Sequence, residues 1–405
     1  MSDTPPTAHL HLAAALDGAG WHPAAWREDD ARPAELLDGP YWAELAQEAE
    51  RGLLDLVTIE DALRLQSDDP FTPDDRTDRV RGRLDAVLVA SRVAPVTTHV
   101  GLVPTVVVTH TEPFHVSKAV ATLDHVSGGR AGVRVQVAGR VDEAAHVGRR
   151  EIPAWRPDRP DDPALQQALT ELFDEAADHV EVQRRLWDSW EDDAEIRDVA
   201  TGRFVDRDKL HHIDFEGRHF AVRGPSITPR PPQGQPVVAA LGHQAVPFDL
   251  IARSADVGFV TPHDRDEAAD LVQQIRRRQV LAGRGDDVVH VFADLVVALD
   301  ATERQAAARW ARLEERAGAR YHSDAEIVVG TPARLADLLV DWHGVGITGF
   351  RLRPAAVPHD LEQITRALVP ELQRRGVFRD AYPDGPTTLR GLLGLGRPAN
   401  RYAEV

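Results

Sequence analysis

Short apolar runs alternate with amphipathic stretches along most of the chain, most clearly over residues 98–129, THVGLVPTVVVTHTEPFHVSKAVATLDHVSGG. The β-branched run at 99–109 predicts a strand buried on both faces. Pro113 marks a break, a helical pattern fills 114–126, and Gly128 and Gly129 stop it. A second buried run starts at 131. The unit is a strand–helix–strand crossover.

The unit repeats in both directions. Strands are expected at 9–16, 53–59, 99–109, 133–138, 236–241, 257–261, 288–299 and 347–352. Helices are expected at 41–51, 84–93, 114–126, 247–255, 265–282, 303–317, 331–342 and 360–376. The rhythm breaks after strand four: 151–163 is irregular, 165–190 reads as one long helix, and 202–225 as a hairpin-forming insertion. Eight strands alternating with helices predict an α/β fold, a (β/α)₈ barrel. Residues 1–405 then form one domain, with insertions at about 149–235 (after strand four) and 317–330 (between strands seven and eight), and a tail over 377–405. An open doubly wound sheet needs a Gly-rich phosphate turn after strand one. Asp17-Gly18-Ala19-Gly20 is not followed by a helix, and Gly391, Gly394 and Gly396 follow no strand.

Composition narrows the classes. A net charge of −18 disfavours nucleic acid and anionic membranes as partners. The absence of Cys removes disulfides, thiolate metal sites and Cys nucleophiles. No apolar run approaches a membrane span and no leader-like segment opens the chain, so a cytoplasmic setting is expected.

A barrel gathers its site at the carboxyl ends of the strands. That rule brings Asp17, Glu60, Asp61, residues 105–110, Gly139, Gly242, His243 and Thr261 to one mouth. Asp61 is a candidate acceptor for a cofactor ring or substrate, or else a helix cap. Thr105 offers a hydroxyl or simply fills a β-branched strand. His22, between Trp21 and Trp26 on a Pro-bearing loop, is a candidate acid/base in a pocket wall, or part of a loop tucked over the mouth. His9 and His11 have the spacing of a metal pair but begin their strand instead of ending it, so no metal is expected. His211-His212, the run 187–193 and the acids Asp158, Asp161 and Asp162 read as packing or surface. No nucleophile elbow, phosphate loop or H-E-x-x-H motif is present, which points to chemistry carried by a cofactor.

Five motifs together resemble one family. They are GLVPTVVVTHTEPFHVSKAVATLDHVSGGRAG (101–132), LWDSWEDDA (186–194), GRFVDRDKLHHIDFEGRHFAVRGP (202–225), RPPQGQPVV (230–238), and VVGTPARLADLL (328–339) taken with ELQRRGVFRDAY (371–382). The set is similar to the bacterial-luciferase-like flavin-dependent monooxygenases, in the branch of nitrilotriacetate monooxygenase, dibenzothiophene-sulfone monooxygenase and pristinamycin synthase. The resemblance implies a (β/α)₈ barrel, a small-molecule substrate, a homo-oligomer (dimer or tetramer), and reduced FMN delivered by a separate flavin reductase. Oxygen activated by that flavin oxidises the substrate.

The family's strand-two acid matches Asp61 and its strand-three hydroxyl matches Thr105. The family's strand-four Asn falls on Arg134, and its Arg-Tyr pair on Leu172-Phe173. Its phosphate-holding Ser falls on His243 or Gln244. A lost charge-assisted hydrogen bond costs about 1.5–3 kcal/mol, which Arg134 or His243 is placed to offset. A deazaflavin in place of FMN, or a ligand-binding barrel without catalysis, are the alternatives those departures open.

Overall fold

The computed structural model describes residues 9–67, 74–154, 159 and 162–403. Asp158 and Asp161, and part of the polar loop after strand two, lie outside the described residues.

Eight parallel strands close on themselves. They are β1 (His11–Leu16), β2 (Leu56–Ile59), β3 (Gly101–Val107), β4 (Gly132–Gln136), β5 (Val237–Leu241), β6 (Val257–Val260), β7 (His290–Leu299) and β8 (Gly349–Pro354). Neighbours pair in chain order, and β8 returns to β1 with His11 beside Gly349. Alternating helices sheathe the ring: α1 (Gly39–Arg51), α2 (Ala86–Val93), α3 (Pro113–Ser127), α4 (Val141–Val147), α5 (Pro163–Asp188), α6 (Ala245–Ser254), α7 (Arg265–Leu281), α8 (Glu303–Ala317) and α9 (Pro332–His343). After β8 come α10 (His359–Gln363), a π-helical turn, α11 (Val369–Arg374) and α12 (Leu389–Leu392). The expected (β/α)₈ barrel is the observed fold. No described helix is long and apolar enough to cross a membrane.

The strands are apolar on both faces because both faces are covered, and every residue of β7 is buried. Outward side chains pack under the helices in one large cluster. Inward ones, including Ala13, Leu56, Val103, Phe259 and Phe292, fill the middle of the barrel. The lower end is stopped by a segment the apolar pattern did not reveal. Leu389, Leu393 and Leu395 of the tail insert beneath these residues. Gly101 faces them, and a Cβ there would collide with Leu389. His290 Nε2 hydrogen-bonds the carbonyl of Leu393 at 2.8 Å and fixes the insertion.

Three local features depart from expectation. Strand two starts at Leu56, because Leu53 takes a left-handed φ of 59° where α1 turns into the barrel. The short helix α4 follows β4. The segment expected as pure insertion between β7 and β8 contains a further parallel strand, Glu326–Gly330, paired to the upper half of β7. That strand is possible because β7 is ten residues long, twice the length of most of its neighbours. Two small antiparallel pairs, Glu195–Asp198 with Arg203–Val205 and Phe215–Glu216 with Ala221–Val222, form the insertion after α5.

Leu389→Ala should leave the upper barrel intact and cost about 2–5 kcal/mol, the usual range for emptying a filled Leu site. Urea unfolding followed by circular dichroism measures it.

Candidate active site

Near the carboxyl ends of the strands, inward positions change from apolar to charged. β2 contributes Thr58 and, just past its end, Glu60; β4 contributes Arg134 and Gln136; β7 contributes Asp294; β8 contributes Arg351 and Arg353. Strand alternation dictates this, since Arg351 and Arg353 share the face of Gly349, which packs against Phe292 inside the barrel. Register brings partners side by side: Asp294 lies beside Arg351, and Thr105 beside Arg134.

The groups form one buried network across the barrel. Arg134 is paired with Glu60 and donates from Nε to the Thr105 hydroxyl at 3.0 Å. Arg351 reaches Glu60 Oε1 at 3.2 Å and Asp294 Oδ1 at 2.9 Å. Arg353 donates from Nε to Asp294 Oδ2 at 2.9 Å and forks onto Asp324 at 2.5 and 3.1 Å. The Arg351 guanidinium also lies 4.3 Å from the centre of the Phe259 ring, and that of Arg353 4.5 Å from Trp21. Burial alone opposes ionisation of Glu60, but Arg134 and Arg351 override it and hold its carboxyl below the usual range. Burial likewise opposes ionisation of Asp294, and Arg351 and Arg353 override it.

Above this floor lies a cavity of about 360 Å³. Trp21, His22 and Trp26 of the β1–α1 loop form one wall, with Tyr321 from the β7–β8 connection. Asp61, Gln66 and Arg83 follow β2, and Gln136 and Arg140 end β4. His22 is 1% exposed, its ring centre 5.2 Å from those of Trp310 and Tyr321. Its Nδ1 accepts the Ala24 N–H at 3.1 Å, which leaves the ring proton of a neutral imidazole on Nε2. Burial pushes the Tyr321 hydroxyl up to about 12, so it is a donor at neutral pH.

The expected site residues divide into three groups. His22 and Asp61 line the cavity. Asp61 also does the capping work: its carboxylate accepts the N–H of Ala62 at 2.7 Å and of Ala86, the first residue of α2, at 3.0 Å. Burial raises its pKa, against those two hydrogen bonds. Thr105 and Arg134 are in the floor, beneath the cavity and not among its lining residues. Phe173, on α5, packs half-buried against the cluster outside the barrel. His243 and Gln244 are exposed after β5. His243 faces Thr261 at 3.0 Å and Asp324 at 3.6 Å; its ring keeps one exposed side, and partial desolvation by the protein around the other lowers its pKa. Phe173, His243 and Gln244 therefore do not meet His22 and Asp61 around this cavity. His11 lies at the opposite end of the barrel, bonded to Asp55 at 2.9 Å. Among the described residues no group of three or more metal-ligating side chains could hold an ion.

Asp294, Arg351, Arg353, Asp324 and Tyr321 were not expected at the site. One signal was available: an acid inside the ten-residue apolar run of β7 must be paired when buried. Its partners, in β8 and in an insertion, could not be read from local pattern.

The cavity has features that suit a flavin. Its volume lies within the usual range of about 300–1,000 Å³ for cofactor sites. Aromatic rings supply flat walls, and arginines supply positive charge. Gln66 Oε1 is buried with no hydrogen-bond partner among the described residues, as an acceptor open to a ligand donor is.

Fold and site together define a cofactor-using α/β-barrel enzyme whose chemistry sits at the strand ends. Residues 21–326 match the luciferase-like monooxygenase family, and the chain belongs to that family. It is 30% identical over 460 aligned positions to N-acetyl-S-(2-succino)cysteine monooxygenase of Bacillus subtilis, covering 98% of both chains. It is 28% identical to nitrilotriacetate monooxygenase component A of Aminobacter aminovorans, again covering 98% of each. A riboflavin lyase solved with modified FMN and its substrate riboflavin superposes with a TM-score of 0.83 at 26% identity, over 97% of each chain. The reading as a flavin-dependent monooxygenase stands on this membership.

Replacing Asp294 by Ala leaves Arg351 and Arg353 buried without their shared partner. The expected loss is about 3–5 kcal/mol in urea unfolding. Unfolded carboxyls titrate near 4. Glu60 and Asp294 titrate lower when folded, so the network's contribution is complete above that value and is lost as pH falls below it. Wild-type urea midpoints, followed from about pH 6 to about pH 3, should fall more steeply than those of Asp294→Ala.

Proposed function

We propose that this chain is the oxygenating component of a two-component monooxygenase that takes reduced FMN from a separate flavin reductase. The observation that carries the reading is the mouth cavity, with flat aromatic walls and arginines above a closed, buried floor. Two relatives support it: one is named as component A of a monooxygenase, and a close structural neighbour was solved with modified FMN. Both curated relatives above are named for small organic acids, which supports a small organic substrate.

Trp21 and Tyr321 would bound the flavin ring, with Asp61, Gln66 and Gln136 offering polar partners at its edge. Reduced flavin, when bound, supplies the electrons that activate oxygen for transfer to the substrate. The protein contributes position and dryness. The floor network blocks solvent from below, and the Trp21 loop covers the site from the side. His22 is placed to hold or pass a proton at Nε2.

The test is an absorbance titration with FMN and with a deazaflavin side by side, followed by oxygen uptake in the presence of an independent reductase. FMN should bind, and oxygen uptake should respond to a substrate drawn from small organic acids and thioethers. Trp21→Ala should weaken flavin affinity by about tenfold, the order of loss for removing one stacking wall. Preference for the deazaflavin, or no flavin binding at all, defeats the reading. Stoichiometric FMN binding with no oxygen uptake under any substrate leaves a ligand-binding barrel instead.

A further inference from the structure

Arg140 stands at the end of β4, immediately before α4, and lines the mouth cavity. Three other arginines line the same cavity, and their charges are answered within the protein. Arg83 donates from Nε to Asp17 at 3.0 Å, Arg79 donates to Asp78 at 2.9 Å, and Arg64 reaches Asp142 at 3.9 Å. Arg140 makes no side-chain hydrogen bond and no ion pair among the described residues, although it is half-buried. Arg64 and Arg83 repel it, while Glu143 and Asp142 attract it without reaching bonding distance. The cavity wall thus holds four guanidiniums against the carboxylates of Asp17, Glu60 and Asp61, in a chain whose net charge is −18.

A planar fork of five donors, held partly out of water beside a like charge, is a costly arrangement without a ligand. An oxyanion resolves it. A carboxylate or phosphate accepts two parallel N–H bonds from one guanidinium and relieves the repulsion from the second. Arg79 and Arg83 cannot serve as well, since each must first release a hydrogen-bonded carboxylate.

We propose that Arg140, with Arg64 beside it, is the oxyanion-binding element of this cavity and takes a carboxylate or phosphate of the bound ligand. This rests on the functional reading above and specifies the ligand's charge. Two sources share the chemistry: the phosphate of the flavin and a carboxylate of the substrate.

Calorimetric titration of the whole chain with two matched pairs separates them. FMN and riboflavin differ by the phosphate, and nitrilotriacetate and its trimethyl ester differ by the carboxylates. Wild type should favour the charged member of one pair by about tenfold or more, as a charge-assisted bidentate contact implies. In Arg140→Ala that preference should fall to about twofold or less, and Arg140→Lys should keep an intermediate preference, as a point charge without the fork does. Arg140 makes no internal bond, so the melting temperature of both variants should match wild type. The pair that responds names the source. A wild type with no charge preference in either pair, or a preference that survives Arg140→Ala, overturns the proposal. FMN and riboflavin binding equally, with neither pair responding to the substitution, removes the oxyanion assignment and leaves the flavin reading standing. Failure of both flavins to bind, with no response in the carboxylate pair, removes both.

Discussion

The exchange of charge among the buried Glu60, Arg134, Asp294, Arg351 and Arg353, reaching out to the exposed Asp324, is the constraint on which the upper half of the barrel depends. Three guanidiniums meet three carboxylates where an ordinary barrel places branched aliphatic side chains. Such a network gives little net stability, because removing five charges from water costs about as much as their attraction returns. What it does give is geometry. Each arginine has its fork fully directed, so β2, β4, β7 and β8 hold one relative height at the mouth, and the connection bearing Asp324 is tied to them. A cavity above such a floor keeps its shape whether or not it is filled.

The walls obey a different rule from the floor. Floor residues come from strands and satisfy one another. Wall residues come from loops and are only partly satisfied, as Gln66 Oε1 shows. Trp21 joins the two layers: its indole N–H is held by the Ala15 carbonyl at 2.8 Å, and its face receives the Arg353 guanidinium. An acidic chain repels anionic ligands at long range, but field lines focus in a concave site, so the charges that line the cavity weigh more there than the net charge of the chain.

Much of the architecture was legible in the chain because parallel strands buried on both faces read as unbroken apolar runs, and each one was found within a few residues. The strand Glu326–Gly330 escaped because it is only partly buried, with Glu326 at its start, and exists by pairing to the overhang of β7. The plug at α12 escaped because four residues carry no helical period. At the site, position at a strand end brought Asp61 to the mouth, and the aromatic loop after strand one brought His22. Phe173, His243 and Gln244 rested on matched motifs, His243 also on its place after strand five, and neither signal says which wall of a mouth a residue faces. The rest of the floor, Asp294, Arg351 and Arg353, was missed for a plainer reason. An arginine in a strand looks like a solvent-facing residue until its carboxylate is known, and Asp294 is more than fifty residues from Arg351.

The lower closure carries an implication for how the chain is made. The leucines that fill the bottom of the barrel lie beyond β8 in chain order, after all eight staves have been laid down. During synthesis the ring can be assembled while its base is still hollow, with Val103, Phe292 and the cleared space at Gly101 facing an empty shaft. The base of the interior is covered only by residues 389–395, so the part of the chain that corks the barrel is the part that leaves the ribosome after all eight staves.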